Sequence, residues 1–347
     1  MDNLFYLDRK NFLEFLSVIA HEYDLLAPKK DPFGTGYEPI HPDNTGDIDF
    51  PGARLTYPLK IFLFPPKEKV SVEPESSLRK TVIFGVKACD IKAVSILDNI
   101  FLDPDFVDPY YKKRRDNIIL VSNDCTEPLE QCFCTLLGGN PFPAEGFDLN
   151  LSFIEDGVII QVGSEKGKSL LEEIKTGAEA ASQEQLKMRD ELRQKIIDKL
   201  HDINRDYEIR VHDLPAIMES LYDSSFLEEA CENCVKCCAC TNICPSCHCF
   251  FLTFQGDEPE GEGRFNVVRT WDSCQSTGFA RVAGGANPRE NLPRLFGNRF
   301  QCKFHHKPKN YGILACTGCG RCLEACQGDI DIREVLTKAC RQAVRNG

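Results

Sequence analysis

Between residues 231 and 250 the chain reads CENCVKCCACTNICPSCHCF, eight thiols in twenty positions and more than any single metal centre can take as ligands. Counted back from Cys244-Pro245, four of them fall into the run C-x2-C-x2-C-x3-C-P: Cys234, Cys237, Cys240 and Cys244. The same spacing returns in CTGCGRCLEAC, with Cys316, Cys319, Cys322 and Cys326. An iron–sulfur cubane needs thiolates at four tetrahedral corners. Two residues between ligands let a tight loop bring three sulfurs to one cluster while backbone N–H groups turn toward the sulfides, and the fourth cysteine opens a helix and points away. Structural zinc also takes C-x2-C, but it uses two pairs and gains nothing from a third step followed by x3-C. The doubled run therefore predicts two [4Fe–4S] clusters.

This is the spacing of bacterial-type two-cluster ferredoxins, in which the fourth cysteine of each run ligates the other cluster. It assigns Cys234, Cys237, Cys240 and Cys326 to one cluster and Cys316, Cys319, Cys322 and Cys244 to the second. Two features depart from the pattern. Gln327 stands where proline follows the first run, and residues 245–315 separate the two runs, so a long insertion, about 250–310, must be looped out without parting the clusters.

Six segments must position any site in the first half. NFLEFLSVIAHEYDLLAP carries Phe12, Leu16, Ile19 and Tyr23 at helical spacing, with Asn11 and Glu14 placed like a capping pair and Pro28 as a stop. KTVIFGVKACDIKAVSILDNIFL reads as a strand, a turn bearing Cys89 and Asp90, and a helix, and NIILVSNDC as a second buried strand ending at Cys125. FDLNLSFIEDGVIIQVG predicts a hairpin and EQLKMRDELRQKIIDKLHDI a charged helix; the Gly-, Pro- and Asp-rich DPFGTGYEPIHPDNTGDIDFPG predicts an ordered surface loop around short strands. Strand ends feeding cysteine-bearing turns place a site at one edge of an α/β domain.

The totals bound the rest. A chain of 347 residues suits about two domains. Acidic residues exceed basic ones, 53 to 41, for a net charge of −12, and no basic block appears, which argues against nucleic acid or anionic lipid as a partner. No apolar run reaches the ~18 residues of a membrane span, and the start MDNLFYLDRK lacks a signal region, so a cytoplasmic, soluble protein is expected. Fifteen of the 19 cysteines lie after residue 230, which sets the architectural boundary near 215–230. Their close spacing speaks for metal thiolate over disulfides.

The segments GVKACDIKAVSILDNIFL, NDCTEPLEQCFCTLLGG, CPSCHCF, TWDSCQSTGFARVAGGANPRE and CTGCGRCLEACQGDIDIREVL together resemble the iron–sulfur beta subunit of cytoplasmic nickel–iron hydrogenases (sulfhydrogenases), and are similar also to the A subunit of anaerobic sulfite reductase. The resemblance covers most of the chain from about residue 80 onward. It implies an electron relay between a flavin- and NAD(P)-binding reductase subunit and a separate catalytic redox subunit. It also draws attention to Cys89, Cys125, Cys132 and Cys134, four cysteines in a domain otherwise free of them and the number one cubane requires, so a third [4Fe–4S] cluster is expected there.

The expected architecture is α+β: residues 1–215 form an α/β domain with its own cluster and 216–347 a two-[4Fe–4S] ferredoxin-like domain carrying the insertion. The function is that of a non-catalytic, single-electron relay subunit. Gly318 and Gly320 fit it by letting backbone approach sulfur. The alternative is a heterodisulfide- or polysulfide-reducing subunit with a substrate-binding cluster, hinted at by the adjacent Cys237-Cys238; a further possibility is a scaffold with redox-silent clusters. Cys231, Cys238, Cys247, Cys249, Cys274, Cys302 and Cys340 remain outside the three quartets. Of these, Cys247, Cys249 and Cys274 read as part of the cluster surroundings and Cys340 as packing. VGSEKGKS has one residue too few between its glycines for a phosphate loop and reads as a strand-to-helix turn, and FGTGYE lacks the third glycine of a dinucleotide fingerprint. KFHHKPK, residues 303–309, reads as a solvated loop or a dock for an acidic partner, with His305 and His306 at the surface. Asp90, Asp124 and Glu127 sit beside the expected third site.

Overall fold

The two apolar runs of the first half alternate with period 2, and each face of each run finds its own core. In β-strand order the chain forms β1 (Leu4–Asp8), β2 (Asp24–Asp31), β3 (Gly34–Ile40), β4 (Lys67–Lys69), β5 (Thr81–Val86), β6 (Ile118–Asn123), β7 (Leu149–Ile154), β8 (Gly157–Val162), β9 (Glu179–Ala180), β10 (Phe250–Gly256) and β11 (Phe265–Trp271). The helices are α1 (Arg9–Glu22), α2 (Lys60–Leu63), α3 (Ala88–Phe101), α4 (Pro109–Asn117), α5 (Glu165–Glu173), α6 (Gln183–Ile203), α7 (Leu214–Ser220), α8 (Phe226–Ala230), α9 (Ala239–Asn242), α10 (Leu292–Gln301), α11 (Lys307–Tyr311), α12 (Arg321–Glu324) and α13 (Ile332–Asn346). This computed structural model describes residues 3–31, 34–72, 79–174, 177–256 and 265–346.

Eight strands form one sheet in the order β3-β2-β5-β6-β7-β8-β1-β9. Its centre is parallel, β2 to β5 to β6 to β7, and its flanks are antiparallel. Val82, Phe84, Ile119 and Val121 face one core with Phe15, Leu16 and Ile19 of α1 and Leu170 of α5. Ile83, Val86, Ile118 and Leu120 face the other with Leu63 of α2, Val94 and Leu97 of α3 and Tyr111 of α4. A sheet covered on both faces needs apolar side chains at successive positions, which is why these two strands read as continuous runs.

The first helix differs in its ends from the sequence reading. Asp8, not Asn11, caps it: the Asp8 carboxylate accepts from the Asn11 backbone N–H at 2.8 Å. It stops at Tyr23, and Pro28 sits inside β2. That proline faces Gly85, whose φ of +77° and close approach to the ring leave no room for a Cβ. The predicted surface loop after β2 contains a full strand, β3, paired along β2.

Beyond the sheet, α7, α8, α10 and α13 enclose a third apolar centre that includes Phe133 and Leu137 from the first half. The long segment between the cysteine runs is built in, rather than merely looped out. Its hairpin β10–β11 pairs with β4, an element of the first half, and α10 packs on α7 and α8. Residues 303–309 are helical, and Lys303, Phe304 and His305 are buried, so the expected solvated loop and the expected surface position of His305 are corrected; His306 is exposed. The reason is amphipathic: Phe296, Phe300 and Phe304 recur every fourth residue and carry this stretch into the core. Among the described residues no helix is long and apolar enough to cross a membrane.

Candidate metal centres

Eleven of the twelve expected ligands gather in three groups, each positioned by a different local device, while the twelfth, Cys237, is exposed. For the first set, the loop from Cys234 to Cys240 turns through two left-handed residues, Lys236 (φ 56°) and Cys238 (φ 59°), before α9 begins. The loop from the far end of the chain meets it because Gly328 lies against the backbone of Asn233, where a Cβ would collide with the Asn233 carbonyl oxygen. Cys326 and Cys234 are thereby brought within electrostatic reach of Cys240. The Cys326 sulfur accepts from the Ile330 N–H at 3.3 Å, and Cys240 donates to the Gln275 side chain at 3.0 Å. Cys237 is the exposed member of the set.

For the second set, Cys316, Cys319 and Cys322 are each 9% exposed and surround one another, and Cys244 reaches them from the other run. Burial pushes Cys316 up and Cys322 up to about 12 in the metal-free chain, so these thiols resist ionisation unless a cation shares their charge. Cys244 goes the other way. A hydrogen bond from Cys247, opposed by burial and assisted by Lys303, holds it well below the ordinary thiol range. The Lys303 ammonium donates to the Cys244 sulfur at 3.2 Å, to Ser246 Oγ at 2.9 Å and to the Ala315 carbonyl at 3.0 Å.

Cys89, Cys125, Cys132 and Cys134 line one small pocket, together with Arg54, Gly318 and Cys319. Cys89 occupies the first turn of α3, directly after β5, and Cys125 follows β6, so two sulfurs come from the carboxyl ends of adjacent central parallel strands. Open α/β sheets place their sites there. The other two sit on a loop held from outside. Asn204 at the end of α6 donates to the Cys132 carbonyl at 2.8 Å, Arg333 of α13 donates to the Glu130 carbonyl at 2.8 Å, and the Phe133 N–H donates to the Gly318 carbonyl at 2.8 Å. Burial pushes Cys125 up to about 11 and Cys134 up to about 12.

The second and third sets share a wall. Gly318 (φ +68°) and Gly320 (φ +74°) pack on the backbone of residues 131–134, and a Cβ on Gly318 would stand 2.5 Å from the Cys134 Cα. Gly318 brings its backbone to sulfur, as the sequence suggests, with its N–H on the Cys316 thiol, and both glycines also lie against the neighbouring cysteine loop. Arg321 is fully buried beside Cys319 and Cys89 and pairs with Asp90 at 2.7 Å. Arg54 donates to the Cys319 carbonyl at 2.6 Å and pairs with Glu324 at 2.7 Å. Asp124, beside Cys125, accepts from Asn150, Ser152 and Arg193, and the Glu127 side chain meets Lys199 at the surface.

The donor sets suit iron–sulfur clusters, which take four thiolates at separated corners. Among the described residues no three His, Cys, Asp or Glu side chains are placed to hold a single metal ion. The buried cations demand anions. Burial works against the charge of Arg299, but Cys240, Cys322, Cys244 and Cys247 hold it well above its ordinary value, and its buried Nε has no hydrogen-bond acceptor among the described residues. Lys303 is kept charged in the same way, against burial, by Cys244, Cys247, Cys316 and Cys302. Two buried cations whose closest charges are sulfur need those sulfurs ionised, as metal thiolates are. Sequence reasoning missed Arg54, Arg299, Lys303 and Arg321. Arg321 stood in view inside the second run, while the others lie far from any motif.

Comparison with known proteins agrees with this geometry. Residues 233–330 match the family described as 4Fe-4S dicluster domain. Across nearly its whole length the chain is similar to Sulfhydrogenase 2 subunit beta of Pyrococcus furiosus, with 30% identity over 339 residues that cover 95% of this chain and 96% of the relative.

Proposed function

This chain belongs to the family of sulfhydrogenase beta subunits, and from that premise we propose that it is the iron–sulfur electron-transfer subunit of a sulfhydrogenase-type complex. In this reading it relays single electrons between a flavin- and NAD(P)-binding subunit and a catalytic subunit. Cys234, Cys237, Cys240 and Cys326 hold one [4Fe–4S] cluster, Cys316, Cys319, Cys322 and Cys244 a second, and Cys89, Cys125, Cys132 and Cys134 a third. Each bound cluster supplies reversible one-electron chemistry with little change of shape. The division near residue 215 separates the sheet that presents the third quartet from the region that interleaves the other two.

The observation that carries the reading is the crossing of the two runs, Cys326 beside Cys240 and Cys244 beside Cys322, with Cys319 lining the pocket of the third quartet. The residues around the sulfurs have three tasks. Gly318 and Gly320 bring two cysteine loops into backbone contact, which shortens the path between them. Lys303 and Arg299 offset negative charge at the first two sets and favour the reduced, more negative state. The Arg321–Asp90 pair is buried between the second and third sets and keeps that wall rigid.

The test is iron and labile sulfide analysis of the native complex prepared without oxygen, with identification of the co-purifying subunits. About twelve irons per chain is expected, and about eight would remove the third cluster. A colourless, zinc-loaded chain would sink the whole reading.

A further inference from the structure

The first set is served by a side chain from outside its own run. Cys240 and Thr241 are neighbours in α9, and both meet the turn that follows β11. Local bonds hold that turn in place. The Trp271 indole N–H donates to the Phe64 carbonyl at 3.0 Å, and the Asp272 N–H donates to the Cys249 carbonyl at 3.0 Å, which carries the β10–β11 pairing one step past its last pair. The Ser273 N–H donates to the Asp272 carboxylate at 2.7 Å, the Gln275 N–H to Ser273 Oγ at 3.1 Å and the Ser276 N–H to the Ser273 carbonyl at 2.9 Å. Asp and Ser side chains close turns in this way. The hydroxyls of Ser273 and Thr241 lie 2.8 Å apart, which ties the turn to α9. Thr241, Ser273 and Gln275 are all buried.

This scaffold delivers the Gln275 side chain to Cys240, where Oε1 accepts from the thiol at 3.0 Å. The polarity of that contact suits a protonated cysteine. A cysteine that holds iron has lost its proton, so its sulfur can only accept. A carbonyl oxygen at the same place would then set two electron-rich atoms against each other in a buried site. An amide offers oxygen and N–H2 on one outline, and a half-turn about its last bond exchanges them.

We propose that Gln275 is a positioning residue for the first cluster: with iron bound at Cys240, its side-chain amide presents the N–H2 end and donates an N–H···S hydrogen bond that raises the potential of that cluster. The inference rests on the electron-carrying reading of the first set. The thiol proton of Cys240 leaves to water as the sulfur binds iron, and the amide neither gains nor loses a proton. A hydrogen bond to the thiolate is worth more as negative charge builds on the cluster, so it favours the reduced state. Gln275 is neutral, unlike Lys303 and Arg299, and acts only on the sulfur it touches. The long insertion thereby takes part in setting the first cluster's potential.

The experiment uses the native complex prepared without oxygen, with an EPR-monitored redox titration and pulsed EPR of the reduced clusters after nitrogen-15 labelling. In the wild type one cluster should show coupling to a side-chain nitrogen and to an exchangeable proton. Gln275→Leu should keep the wild-type iron content, abolish that coupling and lower the midpoint potential of the same cluster, leaving the other midpoints in place. Gln275→Glu, which puts acceptors where the donor stood, should lower the same midpoint further. Unchanged midpoints in both variants overturn the proposal, as does a wild-type spectrum whose nitrogen couplings all survive in Gln275→Leu. Loss of iron from both variants also overturns it, because Gln275 would then hold the loop together and not tune its cluster. Failure of the relay reading looks different: the iron of the wild-type complex would take up no electrons at any potential.

Discussion

The sheet buries branched and aromatic side chains on both faces, between α1 and α5 on one side and α2, α3 and α4 on the other. Beyond residue 230 the elements that carry the cysteines are α9 and α12, four residues each, with the five-residue α8 leading into the first run. Helices this short have no stability of their own, and the apolar centre built by α7, α10 and α13 supports only one side of them. Their other neighbours include each other, thiols and buried cations. The first region is expected to fold on hydrophobic burial, and the cysteine loops of the second to depend also on bound metal to join them. The third quartet stands at the junction, with two cysteines at the ends of sheet strands and two on a loop pinned by α6 and α13.

The largest effect expected is from removing the iron. Oxidation followed by chelation should abolish hydrogen-exchange protection in the cysteine loops 234–244 and 316–326 while the amides of β5 and β6 stay protected. Equal loss in both regions would break the contrast. Next in size is Gly318→Ala, which combines a φ of +68° with a Cβ 2.5 Å from the Cys134 Cα. It should remove iron from both the second and third sets, read as a drop of about eight irons per chain; retention of full iron content would show that the shared wall yields.

Asp90→Asn tests the junction from the side of charge. It leaves Arg321 buried without its carboxylate, a change that typically costs about 3–5 kcal/mol, measured as the shift in the denaturant midpoint of the holo chain. Lys303→Met keeps the shape but removes the ammonium beside Cys244. The midpoint potential of one cluster should fall, with unchanged iron content, in an EPR-monitored redox titration. The smallest effect sharpens the control. The capping box at Ser182 and Gln185 lies on the exposed start of α6, so Ser182→Ala should cost about 1 kcal/mol of stability without moving any potential.

Much of the sheet region could be read directly. The runs TVIFGV and IILVSN are strands, EQLKMRDELRQKIIDKLHDI lies within α6, and VGSEKGKS is the strand-to-helix turn capped by Ser164. The misreadings there are of boundaries: Asp8 could take the cap because its carboxylate precedes the first turn, and Pro28 could lie in a strand because β2 needs no N–H from it opposite Gly85. The insertion was harder. KFHHKPK looks solvated by composition, yet the phenylalanines at 296, 300 and 304 carry it into the core, and the charge of Lys303 is held there by thiols that include Cys244 and Cys316 of the cysteine runs.

The spacing of the cysteines determined by itself which sulfurs can share a loop, since three ligands separated by two residues depend only on local backbone geometry. The strands, too, were determined locally, by alternation of faces. Tertiary structure alone decided that Gly318 presses against Cys134 and that Arg299 and Lys303 enter from the insertion. Those contacts join residues far apart in the chain, and their partners are chosen by packing and by charge burial, neither of which leaves a periodic mark in the sequence.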